Sequence, residues 1–266
     1  MRTRAVVAGI DGSARSLAAA DWAAREAAAR ELPLRVVHAG PAVTGDHFLE
    51  HAVELLGNRH GGLRITGERA ASLTADAELL VVATRGVGGF PGLLLGSTAW
   101  EAAARAPFPV ALVPSGRDVA AVGDIYGRRF TAGEIVVGVD ARAAVDETLA
   151  YAFDAADRSG TTLRALHAWR MPLSEAARLP FRVPEDRGAR EDHETHLLHE
   201  ALRPWREKYP HVTVRPDVRA LTPARALVAA SARAGRLIVG RRGPGLSAVT
   251  DAVLHHARSP VVVVPR

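Results

Sequence analysis

The residues of this chain whose spacing could do chemistry lie between Leu79 and Thr98, "LLVVATRGVGGFPGLLLGST". Glycines stand at 86, 88, 89 and 92, and Gly96-Ser97-Thr98 opens an alanine-rich segment reaching about Ala106. A strand, a glycine loop and a helix N-terminus together aim backbone N–H groups at phosphate. Glycine lets the backbone approach, and the first helical turn has donors with no partner in the helix. The loop holds no lysine, so it is not a Walker A loop, which needs GxxxxGK[ST]. Any phosphate here is held by backbone and hydroxyls. The alternative is a plain connection between core elements.

Other candidate groups point to less. His193, His196 and His199 recur at i, i+3, i+6 on a helical stretch. They fit a solvated face better than a metal site, because no carboxylate–histidine array accompanies them. Trp22, Trp100, Trp169 and Trp205 read as core or interface residues. No nucleophile–base pair, carboxylate dyad or GxSxG is present, so strong catalysis is not expected. Cysteine is absent, which excludes disulfides and thiol chemistry. Net charge is +5, carried almost wholly by arginine, with Lys208 the only lysine. Arginines and acids are interspersed rather than clustered, which argues against a nucleic-acid partner. No apolar run approaches a membrane span. The N-terminus passes directly into a strand pattern, so a soluble cytoplasmic protein is the expectation.

The elements that must position the glycine loop occur twice. "RAVVAGIDGS" is a buried strand ending at Asp11, followed by a helix over 16–31 and a second strand, "LPLRVVHAG". From residue 135, "IVVGVDARAAVDETLAYAFDAADRSGTTLRALHAW" repeats the plan. Asp11 matches Asp140 and His38 matches His167, both at an offset of 129 (140 − 11; 167 − 38). Equal offsets at separated landmarks indicate an internal duplication. Gly86 matches Gly243 at 157 (243 − 86), so the first copy is shorter in its middle by 28 (157 − 129). It supplies at most a strand at 63–66 and a short helix within 69–76. The second copy offers a strand near 212–218 and a helix whose N-cap is Thr222, with Pro223 at its first position. Residues 171–192, with three prolines, read as a long loop, followed by a helix from His193. The expected boundaries are a first domain over 1–116, a linker over 117–133 and a second domain over 134–266. Strands alternating with helices make each copy α/β with a parallel sheet. Asp11, Ala39 and the glycine loop then share the carboxyl rim, where open sheets bind ligands.

With these residues in place, nearly the whole chain resembles a tandem universal stress protein of the UspA-like, actinobacterial type. The resemblance rests on "VVAGIDGS" and "IVVGVD", "RVVHA" and "RALHAW", the glycine loop, and the terminal "APFPVALVP" and "ARSPVVVVP". It implies two Rossmann-like, HUP-type five-stranded sheets of strand order 3-2-1-4-5, the first truncated around its third strand and helix. It also implies ATP or AMP, with or without Mg2+, over a loop of pattern G-x2-G-x9-G-[ST]. Copy one matches at Gly86, Gly96 and Ser97 and has Ala83 in place of the first glycine. Carried over, Gly9, Ile10 and Asp11 would face the adenosine, and Ala39 would meet the base through its backbone. Gly86, Val87, Gly88 and Gly89 would line ribose and phosphates, with Ala83 and Arg85 completing the loop's share. Gly96, Ser97 and Thr98 would hold phosphate.

Asp11 could equally form an Asx turn ahead of the first helix. Ala83 costs little if its φ is negative and on the order of 1 kcal/mol if positive. In copy two only Pro244, Gly245 and Leu246 separate Gly243 from Ser247, too short a loop to wrap a triphosphate, so this copy reads as degenerate and structural. The resemblance further implies that the terminal strands pair the two copies within the chain, with homodimerisation open. The alternatives to nucleotide-dependent stress regulation are an interaction scaffold that binds no nucleotide and a slow ATPase.

Overall fold

The computed structural model describes residues 4–39, 42–70, 77–84, 95–114, 133–170 and 184–266. In the first half, strands β1 (Val6–Ile10), β2 (Leu34–His38), β3 (Ile65–Arg69), β4 (Leu79–Ala83) and β5 (Val110–Val113) alternate with helices α1 (Ala14–Ala29), α2 (Ala42–Arg59) and α3 (Ser97–Arg105). In the second half, β6 (Ile135–Gly138), β7 (Leu163–Ala168), β8 (Val214–Arg219), β9 (Arg236–Arg241) and β10 (Val261–Pro265) alternate with α4 (Asp146–Ser159), α5 (Pro184–Lys208), α6 (Pro223–Ser231) and α7 (Ala248–His256).

All ten strands form one sheet, in the order β3-β2-β1-β4-β5-β10-β9-β6-β7-β8. Each half therefore has the order 3-2-1-4-5. Pairing is parallel throughout except at the centre, where β5 and β10 run antiparallel with Val262 opposite Ala111. The two apolar terminal strands cover each other, which removes two edges that would otherwise be open to aggregation. The runs of Val, Leu and Ile reflect strands buried on both faces. On one face α1, α2, α4 and α5 pack a core that includes Trp22, Leu34, Leu56, Phe153 and Leu198. On the other, α3, α6 and α7 pack Ala99, Leu112, Leu227, Leu237 and Val253.

Two boundaries differ from expectation. The short third strand of the first half lies at Ile65–Arg69, somewhat later than 63–66. Residues 39–64 connect β2 to β3, against 169–213 between β7 and β8, and residues 70–78 connect β3 to β4, against 220–235 between β8 and β9, so most of the shortening falls before the third strand. The helix expected within 69–76 and the linker over 117–133 lie largely outside the described residues. The long loop read over 171–192 is overturned for its last part, because α5 begins at Pro184. Proline at the start of a helix lacks only an N–H that would have no partner there. Helix α6 starts as expected with Thr222 at the N-cap position and Pro223 next, but the Thr222 side chain makes no capping bond.

Candidate functional site

In each half the strand order reverses beside the first strand: β1 lies between β2 and β4, and β6 between β7 and β9. Crevices at the carboxyl ends of strands open at such points. Sequence reasoning nominated thirteen residues in the first half. Of these, Gly9 and Ile10 end β1, Ala39 follows β2, Ala83 ends β4, and Gly96, Ser97 and Thr98 start α3. The topology brings all of these, with Asp11, to one rim. Arg85, Gly86, Val87, Gly88 and Gly89 lie outside the described residues.

Asp11 forms the turn that the first strand needs. Its Oδ1 accepts from the Ser13 amide at 3.0 Å and from the Ser13 hydroxyl at 2.6 Å. Ser13 Oγ in turn accepts from the Ser16 amide and caps α1. Gly12 has φ +83°, so this turn uses glycine's freedom. Glu31 is the one described non-glycine residue with positive φ, so Ala83 sits in ordinary strand conformation and its methyl costs the backbone nothing. The Gly96 amide donates to the Thr84 carbonyl at 2.8 Å and ties the start of α3 to the end of β4. Gly96 is the N-cap of α3 and gives its first turn no side-chain cap; Ser97 and Thr98 are exposed there.

The second half spends the corresponding groups. Ser247 is the N-cap of α7, and its Oγ accepts from the Thr250 amide at 3.1 Å. The Gly245 amide donates to the Ala104 carbonyl in the first half at 3.0 Å. Gly243 and Gly245 both have positive φ, so the short loop folds back at two points. Arg241 is almost fully buried and donates to the carbonyls of Gly243 and, across the halves, Ala106. Burial pushes its guanidinium down from the usual arginine range. Arg242 reaches Asp140 at 3.5 Å and the Ala143 carbonyl.

Above this rim lies a cavity of about 920 Å³. Its floor includes His167 and Glu194, both nearly fully buried. His167 Nε2 lies 3.0 Å from Glu194 Oε2, and the same carboxylate takes Arg142. His167 Nδ1 lies 3.0 Å from the Val139 carbonyl, and in the first half His38 Nδ1 lies 2.9 Å from the Ile10 carbonyl. Both histidines stand in apolar strands, where the sequence leaves packing and hydrogen bonding to backbone open, and the structure shows the latter. Sequence reasoning missed Glu194, because one acid among several on a polar helix carries no signal that marks it as the buried one. His193, His196 and His199 stand exposed on α5. Among the described residues, Trp22 and Trp169 are buried, whereas Trp100 is about two-fifths exposed.

The family model described as "Universal stress protein family" matches residues 2–47, 70–114 and 132–265. The chain belongs to that family. Universal stress protein Rv2005c of Mycobacterium tuberculosis is 34% identical over 97% of this chain and 96% of its own length. Universal stress protein Rv2623 of the same organism is 31% identical over 97% and 95%. Among solved structures, a universal stress protein from Archaeoglobus fulgidus covers all of both chains at 16% identity and TM-score 0.62. A functionally unknown protein from Pseudomonas aeruginosa covers 99% of this chain and 92% of its own at 17% identity and TM-score 0.66. These structures share the fold. No described helix is long and apolar enough to cross a membrane.

Proposed function

We propose that this universal stress protein binds an adenine nucleotide, ATP or AMP, at the rim of its first half and acts in stress regulation through the occupancy of that site. Its domains on this reading are residues 1–116 and 134–266. The observation that carries the proposal is the difference between two helix starts. Helix α3 begins at the strand-order reversal with no side-chain cap and with two exposed hydroxyls, Ser97 and Thr98. Its second-half counterpart, α7, has its cap filled by Ser247, and the preceding loop spends the Gly245 amide on the first half. A helix start without a side-chain cap favours an anion through its N–H groups and dipole. Ala83 lies in ordinary strand conformation, so its methyl adds no backbone strain where the family pattern has glycine. Ser97, Thr98 and the α3 amides would hold phosphate, and Gly9, Ile10 and the Ala39 backbone would border the nucleoside. The second half, its cradle closed, does not bind a phosphate chain.

The test is calorimetric titration of the full chain with ATP and AMP, with Ser97→Asp as the control. A carboxylate in the first turn of α3 favours the helix yet repels phosphate. The expected result is wild-type binding, lost in Ser97→Asp with no fall in melting temperature. Absence of heat from the wild type at millimolar ATP would refute nucleotide binding and leave the scaffold reading in its place.

A further inference from the structure

We propose that the cavity of the second half is a site for an organic anion with a planar apolar body and one carboxylate or sulfonate, gripped by guanidinium groups rather than by backbone amides. The cavity, about 920 Å³, is ample for a molecule of two or three rings. Leu166, Leu227, Val139, Leu246, Val249 and the indole of Trp169 supply apolar wall. Around them stand Arg142, Arg170, Arg190, Arg241 and Arg242 against two carboxylates, Asp140 and Glu194. That imbalance favours an anion. Arg170 is exposed at the end of β7 and makes no ion pair among the described residues.

Two further observations narrow the ligand. Thr148 Oγ1, Trp169 Nε1 and Arg241 Nε are buried in the wall with no hydrogen-bond partner. All three are donors, and buried donors seek an acceptor. Meanwhile the amide of Gly245 and the first turn of α7 are spent on Ala104 and Ser247. The amides that would wrap a phosphate chain are thus taken, and the guanidinium groups remain to hold a single anionic group. The site therefore has the arginines and apolar wall for a flat acid and lacks the nest for a triphosphate.

The probe is anilinonaphthalene sulfonate, titrated by fluorescence into the folded full chain, with naphthoate, AMP and ATP as competitors. The expected result is one equivalent bound and displaced by naphthoate but not by ATP or AMP. Trp169→Phe should remove a share of the energy transfer from tryptophan to the probe. Arg170→Ala and Arg242→Ala should each weaken binding at least fivefold. Arg170 is exposed and makes no ion pair among the described residues, so its variant is expected to keep the wild-type melting temperature whatever its effect on the probe. Unchanged affinity in both variants would overturn the proposal, as would displacement by AMP or ATP in place of naphthoate. The Ser97→Asp protein separates the two sites: it should lose ATP binding and keep the probe.

Discussion

Glu26, on α1 in the first half, is 5% exposed, yet two guanidiniums converge on its carboxylate. Arg30 comes from the end of the same helix, and Arg236 from β9 in the second half at 2.6 Å. Arg30 also donates to the Tyr151 hydroxyl on α4 at 2.8 Å, and Arg236 lies over the Trp22 ring at 5.5 Å. This cluster bridges the halves on the face opposite α3. Burial by itself would raise the Glu26 carboxyl; Arg236 and then Arg30 outweigh it and hold the group below the usual carboxylate range. Glu26→Gln keeps the shape and removes the charge, leaving two buried cations facing each other. Breaking a buried ion pair from one side costs about 3–5 kcal/mol. Glutamine keeps one acceptor, so the low end, about 3 kcal/mol, is expected. At about 2–4 °C per kcal/mol for a chain of this size, the melting temperature should fall by roughly 6–12 °C. The assay is thermal and urea unfolding of wild type, Glu26→Gln, Arg236→Met and the double variant. Arg236→Met should recover part of the loss, with a coupling of about 1–3 kcal/mol. A fall below about 2 °C, or strict additivity in the cycle, would refute the cluster as a link between the halves.

The same carboxyl sets a pH dependence. Its folded pKa is lowered, so its contribution is fully present above the unfolded value of about 4.3 and disappears as pH falls through the folded value. The gap in melting temperature between wild type and Glu26→Gln should hold at neutral pH and narrow below about pH 4. Gly240→Ala would place a Cβ 2.5 Å from Thr148 Oγ1. It should destabilise by about 1–3 kcal/mol in urea unfolding, and Thr148→Ala should relieve most of that. Ala83→Gly restores the glycine of the family's loop pattern. Because Ala83 is already in strand conformation, ATP affinity should change less than about threefold by calorimetry and stability should drop by about 0.5–1 kcal/mol.

How much of this was written in the chain depends on whether a feature repeats. The offset of 129 between Asp11 and Asp140 and between His38 and His167 extends to an atomic detail. Each histidine Nδ1 meets the carbonyl of the residue just before its aspartate, Ile10 or Val139, and those two residues also differ by 129. The strands themselves and their repetition are legible for the same reason, since apolar runs and a repeated aspartate are local signals, whereas the strand order and the central pairing are readable only through the family resemblance that those signals carry. For Asp11 the sequence allows a turn, a ligand contact or both, and the bonds to Ser13 display the turn. The cluster around Glu26 was not legible. Arginines and acids are spread evenly along the chain, and nothing local marks Arg236, 210 positions away (236 − 26), as the partner of Glu26.

Divergence between the halves then follows a physical rule visible at the two histidines. Their Nδ1 sides bond to backbone, which both copies keep because both keep the strand. Their Nε2 sides are not bound to backbone, and there the halves differ. In the second half Glu194 takes that position, and with it Arg142, so the rim gains a buried carboxylate and a guanidinium. In the first half His38 Nε2 is buried without a partner. The helix starts differ in the same sense, with Gly96 at one and Ser247 at the other. The rims therefore differ by a glutamate, by a serine in place of glycine, by a loop of three residues in place of nine, and by the arginines that line the second half's cavity. The two halves thus differ at their rims without moving a strand, because rim positions are the ones the core does not constrain.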